Sequence, residues 1–324
     1  MARSQRLEDR LAALGELRAD PTSEATLSEL RRALGSKTSM VAGRAAEIVG
    51  EFLLSDLEPD LVEAFERFMN NPTKVDPGCI AKTAIVEALY RLEAYRPDLY
   101  LHAIGHVQME PVWGGREDTA AKLRGLAALG LVRINTPNVM LLLAQLLADP
   151  ESDARISAAR AIGYSGVEAG VPLLRFKVLS GDEHPQVMVE CFIALMQLDP
   201  EASLAFVAGF LHSENRAEQE AAAVALGESH LVQAFPFLEA AWEDAVDGEM
   251  RQSLLVAIAM LRHERAIDFL LALVARGGRV ADEALGALRM YENDHRIWQR
   301  VEHVLQELQV LQERPASEGR GVRG

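Results

Sequence analysis

The feature of this sequence that most constrains its fold is a helical phrase of small and aliphatic residues that recurs along the chain. A clear copy is Ala222-Ala-Val-Ala-Leu-Gly227, and the other clear copies end at Gly50, Gly130 and Gly163. Weaker copies end at Tyr90, Met196, Ala259 and Arg289. Successive ends are separated by 40, 40, 33, 33, 31, 32 and 30 residues. Because a period in this range is typical of stacked helical repeats, the sequence predicts an all-α, right-handed α-solenoid of about eight helix pairs with no sheet.

Proline and capping residues indicate where the helices begin. Proline stands in the first turn of several first helices, as at Pro59, Pro97 and Pro236, where its missing N–H would be unpaired in any case. We expect a single domain over residues 1–311, since a solenoid needs no domain break. The expected segments are N-terminal capping helices, looser repeats, clearer repeats with a C-terminal cap, and a disordered tail, at residues 1–35, 36–130, 131–311 and 312–324.

Charge and composition limit the classes of partner and the compartment. The net charge is -15, which argues against nucleic acid as the main ligand because phosphate binding needs a basic face. No run approaches 18 apolar residues, so we expect no membrane span. The N-terminus lacks the apolar segment of a secretory signal, and Cys79 and Cys191 lie in apolar stretches typical of buried, reduced thiols. We therefore expect a cytoplasmic protein.

One stretch carries a family resemblance. The run from Asp149-Pro150 through Arg155 to Ala158-Ala-Arg-Ala-Ile-Gly163 resembles a HEAT repeat, and more narrowly the HEAT-like repeats of bacterial phycobilin lyases. That resemblance implies a HEAT-type solenoid. It also implies a ladder between repeats, formed by the residues equivalent to Asp149 and Arg155. Met188 and Gln219 occupy the arginine position in the next two repeats, so the ladder is not expected to be continuous.

Few residues have spacings that suggest chemistry. His102, His106 and Glu110 are four residues apart and would share one face of a continuous helix. The outer two would then be about 12 Å apart, so only a neighbouring pair could chelate a metal. Ordinary surface or interface residues are the favoured interpretation. Deoxyhypusine hydroxylase, an enzyme with this kind of repeat, uses several His-Glu dipeptides, and this chain has one, His263-Glu264. We predict no catalytic residue, metal or cofactor.

The segment Met109–Thr119 departs most from the repeat and is the favoured place for binding. It contains Trp113 and Arg116, residue types that often anchor interfaces. The alternative is that Trp113 covers the neighbouring core while Asp118 caps the next helix. A nearby basic row contains three further candidates for contact with an acidic partner, Lys82, Lys122 and Arg155. These cations could equally pair with neighbouring carboxylates.

A second row of residues lies three positions before each phrase end. Its first half is mostly charged and its second half mostly apolar: Glu47, Glu87, Ala127, Arg160, Ile193, Val224, Val256 and Gly286. The second half either forms an exposed apolar strip on the concave face, which is usual for protein binding, or turns into the core. Together these patterns predict a non-catalytic scaffold or adaptor that binds a protein or peptide. The resemblance suggests the alternative, a lyase or chaperone-like factor acting on a chromophore-bearing protein.

Overall fold

The computed structural model describes residues 2–313 of the chain, and the side chains of residues 5–310. Apart from one short hairpin, the regular elements within these residues are helices. The chain divides into two compact units, residues 1–177 and 178–324. The described residues contain no helix that is both long and apolar enough to cross a membrane.

Unit 1 begins with the capping helix α1, Ala2–Glu16, and is built on four second helices that pack side by side. The second helices are α3 (Ser39–Glu51), α6 (Ile80–Arg91), α8 (Ala121–Arg133) and α10 (Ser152–Ser165). The first helices that precede them are α2 (Glu24–Leu34), α4 (Glu58–Met69), α7 (Pro97–Ile104) and α9 (Val139–Leu146). A further short helix, α5 (Pro72–Val75), lies between α4 and α6.

Unit 2 has the same arrangement, but the connections between the two helices of a pair are shorter. The division between the units falls inside α11 (Val171–Ser180). The second helices are α12 (Pro185–Leu198), α14 (Arg216–Glu228), α16 (Gly248–Met260) and α18 (Gly278–Leu288), and neighbours in this order pack together. The first helices are α13 (Pro200–Gly209), α15 (Phe235–Asp244) and α17 (Glu264–Ala275), and α19 (His295–Glu313) packs on α17.

Short 3₁₀ turns connect several of these helices. They lie at Leu17–Ala19, Ser55–Leu57, Pro77–Cys79, Glu168–Gly170, Phe210–His212, Val232–Ala234 and Arg289–Tyr291.

The small residues of the repeated phrase are needed where second helices approach each other. A methyl group added at Gly50 of α3 would lie 2.8 Å from Cα of Ala88 in α6. In unit 2, one added at Gly227 of α14 would lie 2.6 Å from the carbonyl oxygen of Ala257 in α16. A real Cβ does not come this close to backbone, so the phrase ends in glycine because the helix axes are close.

The predicted all-α solenoid architecture is confirmed, and with the short helix α5 left out, α2 to α18 form eight pairs in chain order. The expectation of no sheet was wrong. Two strands, β1 (Met109–Val112) and β2 (Gly115–Asp118), form an antiparallel hairpin between α7 and α8. The handedness of the stack and the single domain remain predictions. Of the tail expected to be disordered, residues 312 and 313 belong to α19, and 314–324 lie outside the described residues.

Candidate partner-binding site

The hairpin β1–β2 is the feature that most distinguishes unit 1 from a plain stack of helices. Val112 pairs with Gly115, which leaves Trp113 and Gly114 as the two turn residues. Gly114 has φ +94°, a backbone conformation that only glycine adopts without strain. A methyl group there would meet no other atom within 4 Å, so conformation and not space requires the glycine. The turn therefore places the Trp113 side chain at the tip.

Trp113 is fully exposed to solvent, and Val112 beside it is exposed as well. The alternative that Trp113 covers the neighbouring core was therefore wrong. The part of that interpretation in which Asp118 caps α8 was also wrong, because Ala120 is the N-cap residue and no side chain makes a capping hydrogen bond there. Asp118 instead accepts a hydrogen bond from the backbone N–H of Ala120, in the turn that leads into α8. The Trp113 side chain therefore presents its apolar ring and its polar N–H to solvent.

The base of the hairpin is fixed to the segment that precedes α6. The side-chain amide of Gln108 donates to the backbone oxygen of Asp76 at 2.8 Å, and Gln108 is buried. The backbone N–H of Gly78 donates to a Glu110 carboxylate oxygen at 2.7 Å, and the Thr119 hydroxyl donates to the same oxygen at 3.0 Å. The insertions of two successive repeats thus support each other.

A buried ion network fixes the other end of the hairpin to the helices. Arg124 of α8 contacts Asp118 at 2.6 Å and forms a two-pronged contact with Asp149, at 2.8 Å for each pair of atoms. It also donates to the backbone oxygen of His106 at 3.0 Å. Because Asp149 precedes α10, Arg124 ties the hairpin, its own helix and the next repeat together.

This network determines the protonation of Asp118. Burial by itself raises the pKa of the Asp118 carboxyl group. Hydrogen bonds from the backbone N–H groups of Gln108 and Ala120, together with the charge and hydrogen bond of Arg124, outweigh burial and lower the pKa. Asp118 is therefore a carboxylate that the fold stabilises in its charged form.

Two of the five residues predicted to bind a partner are structural instead. Lys82 has no exposed surface and pairs with the equally buried Asp76 at 2.9 Å. Arg155 is 6% exposed and donates to the backbone oxygens of Asp149 and Pro150. Neither side chain can reach a partner, because each closes the loop in front of its own helix. Burial removes both from the proposed surface.

The same connection recurs in five repeats: a side chain in the first turns of a second helix bonds to the residue six positions earlier, in the loop before that helix. Lys82 bonds to Asp76, Arg124 to Asp118 and Arg155 to the carbonyl of Asp149. In unit 2, the Gln219 side chain donates to the carbonyl of Ser213, and Arg251 donates to that of Ala245.

Sequence reasoning missed Arg124 because it aligned Lys122, two residues earlier, with this position. The signal that could have found Arg124 is the six-residue interval between a loop aspartate and a cation, present at Asp76–Lys82 and Asp149–Arg155.

The remaining predicted residues are exposed. Arg116 lies on β2, three residues from Trp113, and its guanidinium donates to the backbone oxygen of Met109 at 2.9 Å. Lys122 lies in the first turn of α8 and contacts Glu87 of α6 at 3.6 Å. The structure thus brings Trp113 and Arg116 together on the hairpin.

The three residues considered as metal ligands do not share a helix face. Helix α7 ends at Ile104, before His106. The His102 ring packs edge-on against Phe65, the His106 ring lies 3.2 Å from the side-chain oxygen of Gln108, and Glu110 holds the base of the hairpin. Across residues 5–310, no group of three His, Cys, Asp or Glu side chains is placed to hold a metal ion.

The row that precedes the phrase ends lies mostly at the surface. In unit 2, Ile193 and Val224 are half-buried and Val256 is 37% exposed, on the adjacent helices α12, α14 and α16. In unit 1, Glu47 is exposed and Ala127 is buried. Of the two alternatives, the apolar half of the row forms a surface strip and does not turn into the core.

A HEAT-repeat family model matches residues 139–227 and 173–259, so this part of the chain consists of HEAT repeats. The complex of CpcE and CpcF of phycocyanin lyase from Nostoc sp. PCC7120 is 17% identical, with a TM-score of 0.40, and the match covers 87% of this chain and 93% of that one. Human deoxyhypusine hydroxylase in complex with glycerol is 18% identical, with a TM-score of 0.31, covering 90% of this chain and 98% of that one. No curated protein sequence matches the chain.

Proposed function

We propose that this HEAT-repeat protein is a non-catalytic scaffold or adaptor that binds a protein or peptide through the β1–β2 hairpin. The observation that carries the proposal is the Trp113 side chain, fully exposed at the tip of an anchored hairpin. A large aromatic residue buries about 150–250 Å² when a partner covers it. At about 25 cal/mol per Å² of apolar surface, this area is equivalent to about 4–6 kcal/mol before the costs of association.

The fixed base of the hairpin supports this proposal. Hydrogen bonds from Gly78 to Glu110 and from Gln108 to Asp76 hold β1, and Arg124 holds the end of β2 through Asp118. Binding therefore has little backbone to order, and a pre-ordered loop loses less conformational entropy when it associates. Arg116 adds charge and hydrogen-bond donors beside Trp113.

The test is differential capture from a lysate of the native host, quantified by isotope labelling. We expect at least one protein to be recovered by the wild type and to be reduced about 30-fold in affinity, or about 2 kcal/mol, by Trp113→Ala combined with Arg116→Ala, the usual threshold for a binding hot spot. Phe176→Ala is the matched control, because Phe176 on α11 is also an exposed aromatic residue and should leave recovery unchanged.

Equal recovery by the wild type and the double variant, confirmed with the purified partner, would refute the proposal. Loss of folding in the double variant would assign a structural role to the hairpin tip instead. Bilin-dependent absorbance after co-expression with a chromophore-bearing protein would support the lyase-like alternative.

A further inference from the structure

The two outer edges of the hairpin are not equivalent, and the register shows why. The backbone N–H of Thr119 donates to the oxygen of Gln108 at 3.1 Å. In an antiparallel pair, hydrogen-bonded and non-hydrogen-bonded residue pairs alternate. Gln108–Thr119 is thus a hydrogen-bonded pair, and every second pair along the strands, Glu110–Glu117 and Val112–Gly115, is hydrogen-bonded as well. The backbone groups of the intervening pairs, Pro111–Arg116 and Met109–Asp118, therefore point outward, away from the partner strand.

The outer edge of β1 is closed to another strand. Pro111 has no N–H to donate at an outward-pointing position. The outward carbonyl of Met109 already accepts a hydrogen bond from the Arg116 guanidinium. Proline and an occupied carbonyl are ways in which proteins protect an exposed strand from pairing.

The outer edge of β2 is open at Arg116. Its backbone N–H and C=O point outward, the residue is exposed, and neither group has a hydrogen-bond partner within residues 2–313. Asp118, the next residue that points outward, is buried, so the open stretch ends there. An unpaired N–H and C=O on an exposed strand form a template for one more strand.

We propose that β2 binds its partner by strand addition, pairing with an extended segment of another protein as a third strand. This inference rests on the proposed function, because it specifies how the hairpin would hold its partner. In this binding mode backbone hydrogen bonds contribute affinity and the side chains on the two faces contribute specificity. The exposed Trp113 side chain lies at the end of the same edge and can pack against the added segment.

The charges on β2 indicate the chemistry of that segment. Arg116 and Glu117 are both exposed, and neither forms an ion pair within the described residues. Opposite charges that face each other across strands are stabilising. The segment should therefore place a carboxylate opposite Arg116 and a basic side chain opposite Glu117.

The same charges disfavour a second copy of this chain as the partner. In a symmetric dimer, β2 would pair antiparallel with β2 of the second copy through the backbone groups that point away from β1. Two registers of this pairing match at least three residues of each strand. One register places Arg116 opposite Arg116, and the other places Glu117 opposite Glu117. Like charges directly opposite each other destabilise a sheet, so the open edge fits a different protein.

The probe is a phage-displayed library of random 12-residue peptides, selected on the full-length chain and depleted on Trp113→Ala. Arg116→Pro removes the outward N–H together with the guanidinium, whereas Arg116→Ala removes the guanidinium and retains the N–H, so the two variants differ in the backbone donor and not in charge. We expect the selected peptides to bind Arg116→Pro about 5–10-fold more weakly than Arg116→Ala, as the loss of one net hydrogen bond predicts. In the wild type, bound peptide should slow hydrogen exchange of the Arg116 amide, a readout that needs no variant.

Peptides that require Trp113 but bind both Arg116 variants equally, without protecting the Arg116 amide, would overturn strand addition. The proposed function would survive that result, since binding would then run through side chains alone. A library that gives no Trp113-dependent peptide would count against strand addition and the proposed function together.

Discussion

Replacing Arg124 with methionine should be one of the most destabilising single changes in unit 1. The Arg124 side chain is 3% exposed, and its partners Asp118 and Asp149 are 5% and 11% exposed. Methionine fills much of the same volume but leaves two nearly buried carboxylates without their cation. Removing one partner of a buried ion pair costs about 3–5 kcal/mol. We expect the free energy of unfolding to fall by an amount within this range. The loss should not exceed it, because Asp118 keeps its backbone hydrogen bonds from Gln108 and Ala120.

The measurement is urea-induced unfolding followed by circular dichroism, together with hydrogen exchange of the amides in α8. Arg116→Met is the matched control, since it makes the same chemical change eight residues away at an exposed position. It should alter the free energy of unfolding by no more than about 0.5 kcal/mol. The double variant Arg124→Met with Asp118→Asn should be more stable than the sum of the two single changes predicts, because it removes an uncompensated carboxylate.

A loss below about 1 kcal/mol for Arg124→Met, the low end expected for one hydrogen bond, would show that the network does not hold the hairpin to the helices. The same conclusion would follow if Arg124→Met and Arg116→Met were equally stable. Faster exchange in α8 without faster exchange in β1 and β2 would show that Arg124 stabilises its helix but not the hairpin.

Three other expectations follow from buried groups. Ala159→Leu should destabilise the fold by about 1–3 kcal/mol, because Ala159 is fully buried and extra methylene groups overfill the space; an unchanged melting temperature would contradict this. Burial raises the pKa of the Cys79 thiol to about 11, so a thiol reagent at pH 8 should label it only after unfolding, as mass spectrometry can show. Because the pKa of Asp118 is lowered in the folded state, its stabilisation is present above the unfolded value and is lost as pH falls through the folded one. Urea titrations of Asp118→Asn should therefore show a penalty at pH 7 that shrinks below about pH 4, and a penalty independent of pH would contradict the assignment.

The sequence by itself determined the helical repeat and the positions of its close contacts. The period of the phrase predicted the number of helix pairs, because each pair buries its apolar face only against its neighbours. Gly50 and Gly227 stood at the phrase ends for the same reason, since helices that approach this closely leave no room for a methyl group. These features repeat, and a feature that repeats can be recognised against its own copies.

Tertiary structure decided the features that do not repeat. Strands β1 and β2 have four residues each, too few for alternation to be visible, and their pairing depends on a turn conformation at Gly114. Sequence alone singled out Trp113 but could not distinguish a side chain that covers the core from one at the tip of a hairpin, because both readings use the same residue types.

Tertiary structure also decided which basic residues are available to a partner. Lys82 and Arg155 look like surface cations in the sequence, yet each folds back six residues to close its own loop. Alignment of the repeated phrases missed Arg124, because in the repeat that contains the hairpin this cation lies two residues nearer to the end of the phrase than in the other repeats. Arg124 has its full set of partners only when Asp149 of the next repeat meets it beside Asp118, and that meeting exists only in the folded chain.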